Sequence, residues 1–141
     1  MTTNQITPEV PGQAGGPRPK VQSVHTVGVP VTDQDRSLEF YLSTLGMEKK
    51  LDAPLDELGG RWIEVAPSAG GTTLALILAG DKLASGVETG IRLTTDDAAA
   101  LHQQLRNDGV TVDELLNWPG VPPMFAFRDP DGNGLEIVQV P

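Results

Sequence analysis

Two stretches of this chain, 63 residues apart, read alike. In the first, Val27, Val29 and Val31 alternate with small or polar residues, as a half-buried strand does. Thr32 and Asp35 then make a capping-box-like start, and Leu38, Tyr41, Leu42 and Leu45 recur at helical spacing before Gly46. In the second, Ile91, Arg92 and Leu93 form a strand, Thr94 with Asp97 starts a helix, and Ala98, Leu101 and Leu105 carry its apolar stripe up to Asn107, Asp108 and Gly109. Aligning Asp33 with Asp96 also aligns Leu38 with Leu101 and Gly46 with Gly109. The repeat predicts one structural unit used twice.

Each helix is followed by strand signals. A short strand is expected over residues 46–52, and a hairpin over 61–65 and 72–78 with its turn at 67–71. A symmetric hairpin puts Ile63, Val65, Leu74 and Leu76 on a core face and Trp62, Glu64, Thr73 and Ala75 on the other. In the second unit, strands are expected near 111–115, 124–128 and 135–140. The last two flank Asp129, Pro130, Asp131, Gly132, Asn133 and Gly134, whose composition specifies a tight reversal. Asp129, Asp131, Asn133 and Gly134 also match the opening of a calcium-binding EF-hand loop. Val140 stands where that loop needs a bidentate glutamate, and the flanks alternate as strands, so a plain turn is the better reading.

Composition removes several functions. The chain has 141 residues and no cysteine, which excludes disulfides, thiol nucleophiles and thiolate metal sites. Ten basic residues against nineteen acidic ones leave a net charge of -9, which disfavours nucleic acid and anionic membranes. No long apolar run suggests a membrane span, no signal pattern opens the chain, and a cytoplasmic protein is expected. Residues 1–20 read as a flexible Pro/Gly-rich tail and 21–141 as a single domain, with one unit at about 21–80 and the next at about 87–141.

The stretch from Thr32 to Tyr41, then Leu45 and Gly46, and finally residues 127–133 with Glu136, resemble the vicinal oxygen chelate superfamily of glyoxalases, bleomycin resistance proteins and extradiol dioxygenases. The resemblance implies an α+β fold in which two βαβββ modules form a curled mixed sheet around a cleft, with helices on the outside. It implies a homodimer as well. In the enzymes of that superfamily four cleft positions carry histidine, glutamate or glutamine around a divalent metal. Here those positions fall on Thr26, Ala75, Gly90 and Glu136, and only Glu136 retains a ligand.

Catalytic zinc usually needs three protein ligands, and non-haem iron two histidines and a carboxylate. His25 lies one residue out of register, on the opposite strand face, and His102 is expected on an exposed helix flank. No cofactor is therefore expected. Arg92, two residues after Gly90, is placed to pair with Glu136 where a metal sits in the enzymes. The expected ligand-binding cleft comprises Thr26, Trp62, Glu64, Thr73, Ala75, Gly90, Arg92, Met124 and Glu136, with Trp118 as a further apolar wall. The resulting expectation is a small-molecule-binding protein with a degenerate metal site, of drug-sequestering or resistance type, taking a partly apolar ligand. Two alternatives stay open. One is a glyoxalase-type lyase or dioxygenase-type enzyme with a divalent metal; the other is a metal-free lyase or isomerase using Glu136 or Glu64 as a general base.

Overall fold

A computed structural model of the chain describes residues 16–57 and 59–141. Most of the expected Pro/Gly-rich tail lies outside the described residues. The elements run β1 (Thr26–Val31), α1 (Gln34–Glu39), a π-helical turn (Phe40–Thr44), β2 (Glu48–Pro54), β3 (Arg61–Ala66), β4 (Thr73–Leu78), β5 (Glu88–Thr95), α2 (Ala98–Asn107), β6 (Met124–Arg128) and β7 (Gly134–Gln139). They make two open sheets, ordered β1-β4-β3-β2 and β5-β7-β6. In each, the strand before the helix pairs in parallel with the last strand of its unit.

Several local expectations are refined by the structure. Asp33, rather than Thr32, caps α1 by accepting from the Arg36 amide at 3.1 Å, and Asp97 caps α2 by accepting from the Ala100 amide at 3.0 Å. Counted between the caps and the glycines, thirteen positions separate Asp33 from Gly46 but twelve separate Asp97 from Gly109. The π turn takes up that extra residue, since Leu45 donates to the Phe40 carbonyl five residues back at 3.1 Å. The strand expected near 111–115 is instead a broken edge alongside β6. It is joined at Val112 to Phe127 and at Leu116 to Met124, with Asp113 donating to the Ala126 carbonyl.

One hydrophobic core serves both sheets. Val29, Val31, Ile63, Val65, Leu74 and Leu76 enter it from the first sheet, and Phe125, Phe127, Leu135 and Ile137 from the second. Tyr41, Ala98 and Leu105 bring the helical segments onto those same faces. Burying each large aliphatic side chain contributes roughly 1.5–3 kcal/mol relative to exposing it. No helix among the described residues is long and apolar enough to cross a membrane.

The reversal between β6 and β7 fastens the two units together. The Asp129 Oδ1 atom accepts from the Asp131 and Asn133 amides, each at 2.9 Å, which closes the turn locally. Fully buried Asn133 donates to the Pro30 carbonyl at 2.7 Å and accepts from the Gly86 and Val87 amides at 2.8 and 3.0 Å. Tyr41 donates to Asp129 Oδ2 at 2.9 Å, Thr32 and Arg36 donate to Asp131, and Phe40 packs near Phe127. The carboxylates of this turn are thus committed to protein donors. Burial first, and the Asp129 charge second, push the Tyr41 phenol far above its ordinary pKa, so it remains a donor.

Candidate functional site: two outward faces

Residues that alternate with the core positions face away from it. On the first sheet these include Thr26, Trp62, Glu64, Thr73 and Ala75. Glu64 lies opposite Ala75 and Thr26 opposite Thr73, so β1, β3 and β4 bring all five together. The division of the β3–β4 hairpin into two faces is the one expected from alternation. The Trp62 indole donates to Glu64 Oε2 at 2.7 Å, and the Thr73 hydroxyl donates to Oε1 at 2.8 Å. The Thr26 and Thr73 hydroxyl oxygens are 2.8 Å apart, which extends the network to β1.

Glu64 is 7% exposed and forms no ion pair among the described residues. The Trp62 and Thr73 hydrogen bonds hold its carboxyl below the usual range, against the opposing effect of burial, with a smaller contribution from His25 when charged. The group is an ionised acceptor and a weak base. A proton-abstracting role calls for the opposite tuning.

The second face is built differently. Arg92 on β5 lies opposite Glu136 on β7 and its Nε donates to Glu136 Oε1 at 2.7 Å. This expected pair is open to solvent, with side chains 68% and 41% exposed. Beside it, Asp113, Leu116, Met124, Ala126 and Glu136 line a hollow of about 300 Å³. Leu116 and Met124 also close the base of a hairpin that carries Trp118, 60% exposed, toward its tip. Asp113 was not among the expected site residues, because an acidic residue beside an expected strand carries no signal of its own.

Among the described residues the two faces are not linked to each other by hydrogen bonds or ion pairs: none joins Thr26, Trp62, Glu64, Thr73 or Ala75 to Gly90, Arg92, Met124 or Glu136. Both sheets turn their other faces to the shared core. A separate cavity of about 570 Å³ lies between the units, lined by Val27, Leu45, Leu74, Ile91, Leu101 and Ile137 among others. It reaches Gly90 and Arg92, and pattern reading alone missed it because its walls come from helical and strand stripes that each look like ordinary core.

The four positions that the resemblance aligned with metal ligands can be compared with the chemistry a divalent ion needs. Threonine, alanine and glycine supply no customary ligand, and Glu136 is engaged by Arg92. Gly90 has φ of +74° beside a slip in the β5–β7 ladder, a conformation that histidine would adopt only under strain. Among the described residues of one chain, no three His, Asp or Glu side chains are grouped to hold a metal. His25 is exposed just before β1. His102, expected on an exposed flank, is half-buried with its ring edge-on to Phe125 at 4.9 Å and Nε2 at 2.8 Å from the Asp113 carbonyl.

Comparison with known proteins places this geometry. The sequence profile of the glyoxalase/bleomycin resistance protein/dioxygenase superfamily matches residues 23–137. TnmS3, an antibiotic-binding protein from Streptomyces sp. CB03234, superposes with a TM-score of 0.77 at 33% identity, covering 88% of this chain and all of that one. A glyoxalase/bleomycin resistance protein from the same Streptomyces gives a TM-score of 0.72 at 36% identity, over 83% of this chain and 100% of its own. The uncharacterised protein YetH of Bacillus subtilis (strain 168) is 26% identical over 117 residues, 80% of this chain and 94% of that protein. The superfamily holds both enzymes and binding proteins. By the extent of the profile match and the shared fold, this chain belongs to the glyoxalase/bleomycin resistance protein/dioxygenase superfamily.

Proposed function

We propose that this protein is a metal-independent small-molecule-binding protein of the drug-sequestering kind, acting as a homodimer. The observation that carries the reading is the fate of the metal positions: Thr26, Ala75 and Gly90 hold no ligand, and Glu136 pairs with Arg92 at 2.7 Å. Antibiotic binding by TnmS3, 33% identical, supports the same class of activity. The two outward faces each supply half of an apolar wall with a few placed polar groups, the usual make-up of a ligand site. A two-fold pair would bring the Trp62 face of one copy against the Met124 face of the other, giving two equivalent clefts.

The test measures metal content and thermal stability of untagged protein purified without chelator, with nickel, zinc, manganese and ferrous iron titrated in turn. Expected are no stoichiometric metal and no saturable rise in Tm. Bound metal, or a rise abolished by Glu136→Ala, overturns the reading in favour of a metal enzyme. Sedimentation analysis of the same sample tests the dimer, and a monomer at micromolar concentration refutes that part.

The apolar cavity between the units supports a second location for the ligand, because its volume of about 570 Å³ falls within the range of known small-molecule sites. Leu101→Trp would fill that cavity, whereas Trp62→Ala would strip the outward cleft. Once a ligand is found by thermal screening of aromatic natural products, whichever substitution abolishes its binding identifies the site.

A further inference from the structure

Glu64 poses a question that the binding reading leaves open. The residue is 7% exposed, and among the described residues every hydrogen bond its carboxylate accepts comes from a neutral donor, Trp62 or Thr73. Among the same residues Asp129 is buried without a cation as well, but its oxygens are taken up inside the turn by Tyr41, Asn133 and two amides, whereas Glu64 lies on an outward face. The two hydrogen bonds to Glu64 keep its carboxylate ionised without pairing it to a cation, apart from a smaller contribution from His25 when charged, so its negative charge remains to attract a cationic group. Asp113, on the hollow that forms the other half of the proposed cleft, has the same sign and repels an anionic ligand.

We propose that Glu64, flanked by Trp62 and Thr73, is the specificity determinant for a positively charged ligand group, a protonated amine or related organic cation carried on an apolar body. This deepens the small-molecule-binding reading and rests on it. Glu64 fixes which end of the ligand enters the first face, and Trp62 contacts the adjoining carbon framework. Thr73, held through Thr26 to β1, keeps the carboxylate oriented.

The structure supplies its own reporter. The chain has two tryptophans, and the Trp62 indole N–H is bonded to Glu64 while Trp118 is 60% exposed. The experiment titrates ¹⁵N-labelled full-length protein with three matched probes, 1-naphthylmethylammonium, 1-naphthylmethanol and 1-naphthoate, following both indole resonances, with Trp62→Phe assigning them. The ammonium probe is expected to shift the Trp62 resonance saturably and to bind at least about tenfold more tightly than the alcohol, with Glu64→Gln erasing the difference. Thr73→Val, which keeps the carboxylate, is expected to retain the preference.

Equal affinity for ammonium and alcohol overturns the cation inference while leaving the binding reading intact. So does a preference that survives Glu64→Gln, which assigns charge selection elsewhere. If Arg92 of a second copy already neutralises Glu64, the wild-type protein shows no preference and Arg92→Ala uncovers one; that result also overturns the inference and makes Glu64 an interface residue. Silence of both indoles toward all three probes overturns the inference, while the binding reading is decided separately by the thermal screen and the Leu101→Trp variant. Should Glu64→Gln fail to fold, the wild-type comparison of ammonium with alcohol decides alone.

Discussion

Two carboxylates occupy comparable outward positions on the two sheets, and the protein treats them in opposite ways. Glu64 is 7% exposed and held by an indole and a hydroxyl, without a cation. Glu136 has its side chain 41% exposed and is bound to an arginine. The first arrangement is dry, directional and electrically incomplete; the second is wet and already neutralised. One structural unit used twice has therefore produced a face that can discriminate charge and a face whose charge is spent. In a surface pair such as Arg92 and Glu136, solvent screening leaves little energy in the contact. Around Glu64 the same screening is reduced, so both its hydrogen bonds and its lack of a counter-charge matter more.

The sharpest way to break the comparison is to detach the faces from their common support. Asn133→Ala removes hydrogen bonds to Pro30, Gly86 and Val87 at a fully buried site. A loss of about 3 kcal/mol or more is expected in urea denaturation. A loss below about 1 kcal/mol would mean that the hydrophobic core alone holds the two units together.

Next in size, Glu64→Gln is expected to destabilise by about 1–2 kcal/mol at neutral pH, the scale of hydrogen bonds to a charged acceptor. Because the folded Glu64 pKa is depressed, its stabilisation is fully present above the ordinary carboxylate range and is lost as pH falls through the lower folded value. Urea midpoints compared at neutral and acidic pH should therefore converge between wild type and variant. A constant gap across pH would show that packing, rather than charge, sets the effect. Smallest is Arg92→Ala, expected to change stability by less than about 1 kcal/mol because the pair is exposed. A larger loss would mean that a second copy buries this face.

Much of this architecture is legible in the chain. Alternation across the β3–β4 hairpin sorted Ile63, Val65, Leu74 and Leu76 from Trp62, Glu64, Thr73 and Ala75, because side chains on a strand have a period of two and cannot share a face by accident. The repeat at a separation of 63 exposed the paired modules, while the pairing of Arg92 with Glu136 was an expectation from the family resemblance that the β5–β7 register bears out. The reading faltered where geometry is not periodic. The broken edge near Val112 keeps strand-like residues without a continuous ladder, and the extra residue in the first helix is absorbed by a π turn that no local propensity announces.

The roles of charged and polar groups divide along the same line. That the turn at Asp129 to Gly134 reverses the chain is local chemistry, written in proline, glycine and side chains that bond their own backbone. That Asn133 also reaches Pro30, 103 residues away in sequence, required the folded chain. Sequence alone determined the family, the two modules and which residues share a face, since those depend on short-range periodicity and spacing. Only the tertiary structure decided that the Glu64 and Glu136 faces turn away from one core, that one carboxylate is buried without a cation, and that the other is exposed with one. Burial and electrostatic pairing depend on what lies across space, and that is set by how the sheets pack.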